Sequence, residues 1–424
     1  MHRNTWSRLA LTAIVALTLG SAPAAVRAGA TDEAREVFAP TVEAREVFAP
    51  DGSITRVRVP VRPPPSGEDL TASAAAVSGV SAVEVRGPTD TMLDLVFVGD
   101  GYTRGELGKF HRDVRSQVAL LMSIEPYRNY RRAFNVWAVD VVSAESGVDN
   151  DPTPGVMRAT ALDMEFWCGG TERLLCVDTA KAATAARAAP EGDQVIAIAN
   201  STKYGGAGGE VTTAAGANAR SAQILMHELG HSIGHLADEY DSAYASSWIG
   251  VEPDEPNVTV YPAELMMSQR AKWYRWVGQP SPDGGVVGSY EGARYNPVLY
   301  WRPTPDSLMR TLGRPFNSPS REAMVLRFYK YASPITTASP APGPVERRAR
   351  IVLRILRPAS HVLRVTWQVD GRVVAARGTV LDLGRLRVRP GAHVVAVVED
   401  PTPWVLASPA RSDRLRQTME WSVT

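Results

Sequence analysis

The segment His227-Glu-Leu-Gly-His231 constrains this chain more than any other. Apolar Ile224, Leu225, Leu229 and Ile233 recur around it, and the spacing predicts a helix over 221–236. Residues four apart on a helix lie one turn apart on the same face, so both imidazoles project to one side. Neutral imidazole is a good Zn²⁺ ligand, and two from one rigid helix define part of a tetrahedral site. Glu228 is angled beside that pair and not onto it. That is the place for a general base facing a water whose pKa the metal lowers to roughly 7.

A hydrolytic zinc site needs a third protein ligand and an open fourth position. His235 lies four residues beyond His231, but on a continuing helix it would be about 12 Å along the axis from His227, which reads as a bystander. A left-handed Gly234 would instead stop the helix and double the chain back. That turn would deliver a carboxylate from Asp238-Glu239-Tyr240. The ligand set expected is His227, His231 and Asp238 around one catalytic Zn²⁺, with Glu239 and then His235 as alternatives for the third place.

The rest of the chain supplies the setting. His2, Arg3 and Arg8 precede an apolar run from Leu9 to Leu19 and then small residues, the order of a secretory signal peptide over 1–30, cleaved after Ala24 or Ala30. The run is shorter than the about 20 residues a membrane span takes, so a secreted or periplasmic protein without stable membrane insertion is expected. Cys168 and Cys176 are the only cysteines. In an exported chain such a pair reads as a disulfide closing a loop. With 46 basic against 45 acidic residues, nothing points to nucleic acid, which needs a local cationic excess.

Residues 31–40 and 41–50 are near-identical copies, Thr-Asp/Val-Glu-Ala-Arg-Glu-Val-Phe-Ala-Pro. Two copies are too few for a repeat architecture and read as duplication of an exposed segment. Residues 51–62 alternate as strand, and 63–87 read as a Pro- and Ser-rich linker, closing an N-terminal region over 31–88. Buried strands at 93–98, 133–142 and 194–199, with a helix over 106–124, predict an α/β (α+β) catalytic domain over 89–332. A Pro-rich linker at 333–346 and a small all-β, sandwich-like unit over 347–424 follow, the latter expected to brace the catalytic domain.

At the histidine segment the chain resembles the M64 peptidase family, which includes bacterial enzymes called IgA peptidases. The similarity runs through His227-Glu-Leu-Gly-His-Ser-Ile-Gly234 and Leu236-Ala-Asp-Glu-Tyr240. It also touches Val98-Gly-Asp-Gly-Tyr102, Glu145-Ser-Gly147, Tyr204-Gly-Gly206, Tyr290-Glu-Gly-Ala293 and Pro303-Thr-Pro-Asp-Ser-Leu-Met-Arg310. The resemblance implies a metzincin-like fold with a methionine turn beneath the zinc; Met309 is the first candidate, ahead of Met266 and Met267. Three departures stand out. His235 replaces a small residue, Ser307 and Ser318 stand where the family often has cysteines, and the N-terminal region is shorter than the usual leading β domain. The function expected is zinc-dependent endopeptidase action on a protein or peptide, with Glu228 as base and Tyr240 or Tyr290 as oxyanion donor. A non-catalytic binding protein and a zinc hydrolase of cell-wall amides are the rival readings.

Overall fold

A six-stranded sheet organises the chain around the histidine helix. The computed structural model describes residues 42–242, 250–376, 378–406 and 413–424; the expected signal peptide and the first repeat copy lie outside the described residues. The second copy forms strand β1 (Val42–Phe48), which pairs antiparallel with β2 (Ile54–Pro60) as a separate two-stranded hairpin. It is not merely an exposed duplication, because Val47 and Phe48 are 4% and 1% exposed.

The stretch expected to be a linker folds instead. Helix α1 (Gly67–Ala75) starts on a capping box in which Ser66 and Asp69 satisfy each other's backbone N–H groups. Strand β3 (Val77–Glu84) then pairs as the sheet edge with the strand over Phe134–Val141, so the main sheet begins before residue 89. Serine and proline composition masked a local cap that physically favours a helix.

The sheet runs β3-β5-β4-β6-β8-β7, with β4 (Leu93–Asp100), β5 (Phe134–Val141), β6 (Gln194–Ala199), β7 (Gly206–Ala207) and β8 (Thr212–Ala215). Its four central strands are parallel, with antiparallel edges. Helices α2 (Leu107–Leu121) and α3 (Tyr127–Tyr130) precede β5, and α4 (Thr179–Ala186) precedes β6. Every residue of β4 is buried. Leu95 and Phe97 join one apolar cluster with Phe110 of α2, while Val96 and Val98 join another with Ala182 of α4. A strand covered on both faces is apolar through its centre, which is why 95–98 reads as an unbroken apolar run after Asp94.

After β8 comes the histidine helix, α5 (Ser221–Ser232), packed on β8 and α2. Helix α6 (Ala263–Gln269), strands β9 (Tyr290–Ala293) and β10 (Asn296–Arg302), and helix α7 (Ser318–Tyr331) complete this part. The expected 333–346 linker also folds, into β11 (Ile335–Ser339) and β12 (Gly343–Val345). Strand β11 enters a three-stranded sheet with β13 (Arg350–Ile355) and β16 (Val380–Asp382). Strand β12 joins β14 (Arg364–Val369), β15 (Arg372–Val373), β17 (His393–Glu399) and β18 (Arg416–Val423), with the short helix α8 (Leu383–Leu386) after β16.

These C-terminal sheets share their apolar core with the helices before them. Ile351, Trp367 and Trp421 belong to the same buried cluster as Phe328 and Tyr130. Tyr130 and Tyr329 both donate to Asp400, at 2.8 and 2.6 Å. Among the described residues no helix is long and apolar enough to cross a membrane.

Candidate metal centre

Helix α5 ends in a Schellman-type turn that builds the site. The Leu236 N–H donates to Gly230 O at 3.1 Å and the His235 N–H to His231 O at 2.9 Å. The left-handed residue is His235 (φ 54°), not Gly234 as expected from composition. Gly234 is required for space: a Cβ there would lie 2.6 Å from Gly230 O and 2.3 Å from Met324 Sδ. His235 is exposed and points its bulk to solvent, whereas the turn carries Asp238 back under the histidines.

His227 Nε2 lies 3.1 Å from His231 Nε2, and Asp238 Oδ1 lies 3.2 and 3.4 Å from them. For a zinc ion with ligands at 2.0–2.1 Å, the edge of a tetrahedron is about 3.3 Å, so these spacings fit. The protonation pattern fits too. His227 Nδ1 faces Leu308 O at 3.0 Å and His231 Nδ1 faces Leu236 O at 2.6 Å. Carbonyl oxygens only accept, so both Nδ1 atoms carry hydrogen and both Nε2 lone pairs converge. Asp238 Oδ1 and Glu228 Oε1 are buried without a hydrogen-bond partner. Converging lone pairs of this kind call for a cation.

In the metal-free protein, protons would fill that role. Burial works against a charged imidazole, but the Asp238 and Glu46 carboxylates overcome it, raising His227 well above its ordinary value and His231 to about 9. Burial would raise Asp238, yet the His231 charge and both imidazoles hold it well below the carboxylate range. Burial, and after it the Glu46 charge, push Glu228 up to about 7.

Glu228 sits against Gly208, where a Cβ would come within 1.8 Å of its Oε2. A glycine there is what leaves room for the carboxylate. Glu239, the alternative ligand, is consumed elsewhere: Asn257, Ser307, Asn317 and Ser320 donate to its two oxygens at 2.7–3.3 Å. Ser307, at a position where cysteine was expected, is thus part of the scaffold. Met309 is fully buried beneath α5, and a Cβ on Gly230 would meet its sulfur at 2.7 Å. Met266 packs with Trp273 and Trp276 in a separate cluster, and Met267 is exposed. Cys168 and Cys176 form a disulfide.

Two residues at the site escaped sequence reasoning. Tyr295 donates to Asp238 Oδ2 and lies edge-on to Tyr240. Tyr290, by contrast, spends its hydroxyl on Val286 O at 2.9 Å and stays outside the site. Glu46 places Oε2 3.4 Å from His227 Nε2 and 3.8 Å from His231 Nε2. Tyr240 donates its hydroxyl to Glu46 Oε1. Glu46, His227, His231 and Asp238 thus form one metal-capable cluster, opening on a cleft of about 1030 Å³. No sequence spacing links Glu46 to α5; only the fold joins them.

No curated protein matches the chain. Residues 82–283 match the model of the family described as IgA Peptidase M64. That segment, which carries His227, Glu228, His231 and Asp238 but not Glu46, is what this chain shares with peptidase family M64.

Proposed function

We propose that the protein is a secreted zinc-dependent endopeptidase in which His227, His231 and Asp238 hold the metal and Glu228 is the general base. The observation that carries this reading is the convergence of ligand atoms from His227, His231 and Asp238 beside the buried carboxylate of Glu228, whose Oε1 lacks a hydrogen-bond partner. The match of residues 82–283 to the M64 family model supports the peptidase class. A bound zinc supplies Lewis-acid polarisation of the scissile carbonyl and acidifies water. Glu228 accepts a proton from the attacking water and returns it to the leaving amine, a role that suits a carboxyl near pH 7. Tyr295 fixes the Asp238 carboxylate through Oδ2, leaving Oδ1 for the metal. Export is supported by the charged, apolar and small-residue order of residues 1–30 and by the disulfide.

Glu228→Gln tests the assignment directly. The amide has nearly the same volume, so the variant should fold and carry one zinc. It loses the proton acceptor, and casein hydrolysis should fall about 10²–10⁴-fold. Full activity in the zinc-loaded variant would remove Glu228 from the reaction.

A further inference from the structure

A hydrolytic zinc site keeps its fourth position open, yet four protein donors converge here. The fourth, Glu46, comes from outside the catalytic sheet, on a hairpin that pairs only with itself. We propose that the β1–β2 hairpin is an inhibitory strap whose Glu46 carboxylate takes the metal position needed by the attacking water, so that the enzyme is latent until the hairpin leaves the cleft. The proposal rests on the zinc site described above and adds its regulation.

The strap is seated by specific contacts. Phe48 packs edge-on against the His227 ring at 5.4 Å. Arg45 donates to Gly208 O, beside the space Glu228 needs. Arg173 donates to Phe48 O at 3.1 Å, and Val47 and Val59 pack on Leu174 and Ala207. Tyr240 gives its hydroxyl to Glu46, so the strap also occupies one of the two tyrosine hydroxyls expected as oxyanion donors.

The seat is also releasable. An isolated two-stranded hairpin is marginal in water, so β1 and β2 depend on these contacts for their order. Their connection to α1 passes through Pro63 and Pro64, both exposed, and through exposed Ser66 and Gly67. Exposed loop segments of this kind are where chains are opened or lifted. The sequence also holds the strap motif twice, with Glu36 at the position of Glu46 in Glu-Ala-Arg-Glu-Val-Phe-Ala-Pro. A test must therefore remove both glutamates.

The experiment compares the full exported chain with Glu46→Ala and with the double variant Glu36→Ala/Glu46→Ala, each loaded with Co²⁺ in place of zinc. The strap predicts one Co²⁺ per chain in all three, a changed visible Co²⁺ spectrum, and acetohydroxamate binding at least tenfold tighter in the double variant. Casein hydrolysis by the zinc forms should rise at least tenfold in parallel. Unchanged spectrum and acetohydroxamate affinity would place Glu46 off the metal and overturn the proposal. Loss of the metal together with activity would make Glu46 an essential ligand and overturn it equally. A wild type that binds no Co²⁺, with His227→Ala indistinguishable from it, would instead fail the underlying metal reading. Melting curves of each variant separate these outcomes from misfolding.

Discussion

Asp238 and Glu239 are adjacent, both are buried carboxylates, and the fold gives them opposite tasks. Glu239 has every oxygen satisfied by side-chain donors, whereas Asp238 keeps Oδ1 free of hydrogen bonds beside two imidazoles. Asp238→Ala should therefore weaken zinc binding far more than Glu239→Ala, because it removes the carboxylate oxygen that lies 3.2 and 3.4 Å from the two imidazole nitrogens. Glu239→Ala should keep the ligands but destabilise the turn, since four donors lose their acceptor. His235 offers the sharper contrast. It occupies a left-handed conformation that costs a side-chain-bearing residue about 1 kcal/mol relative to glycine. His235→Gly is expected to retain one zinc per chain and raise stability by about 1 kcal/mol in urea unfolding. Zinc lost in His235→Gly but retained in Asp238→Ala would reverse the ligand assignment.

At the scale of elements, α5 was legible because its periodicity and its chemistry coincide in one short window. Strand β4 was legible because burial on both faces leaves no polar residue between Leu95 and Val98. Bringing Asp238 beside the two histidines needed only a turn, so its place in the cluster lay within reach of local reasoning, although the left-handed residue is His235. Proline- and serine-rich stretches at 63–87 and 333–346 were misread because composition hides pairing: α1 begins on a cap, and β11 gains its order from β13. Glu46 and Tyr295 were illegible for a deeper reason, since their roles come from contacts between distant elements. The methionine under α5 tests whether such an element contact is packing or chemistry. Met309 fills space against Gly230, so Met309→Leu should cost under about 1.5 kcal/mol. Met309→Ala should cost about 2–5 kcal/mol through the cavity it leaves. Both variants should retain zinc; metal loss in a folded Met309→Leu would show that the sulfur itself matters.

Across the whole molecule, the metal-capable cluster joins parts that are far apart in sequence. Its residues come from the N-terminal hairpin, from α5 and from the turn after it, while His227 also reaches Leu308 O in the loop that carries Met309. A ligand that binds only the folded chain stabilises it by about 2.7 kcal/mol at a hundredfold excess over Kd. At about 2.1 cal/mol/K per residue of unfolding entropy, that is a Tm difference of about 3 °C for a unit of this size. Chelation should remove it from the wild type and leave His227→Ala unmoved. The difference should also depend on pH, with a definite sign. In the metal-free protein His231 is raised from 6.5 to about 9, against the effect of burial, by the Asp238 charge. A group raised on folding contributes stability that is fully present below its unfolded pKa and lost as pH climbs through the folded one. The chelated protein should therefore weaken between pH 6.5 and 9. The zinc-loaded protein has no such proton to lose, because the metal occupies the lone pair, and its affinity rises as protons cease to compete. The gap in Tm between zinc-loaded and chelated wild type should thus widen steadily from pH 6.5 to 9. Differential scanning calorimetry at fixed ionic strength reads it, and a gap that narrows over that window would mean that metal and protons do not share this site.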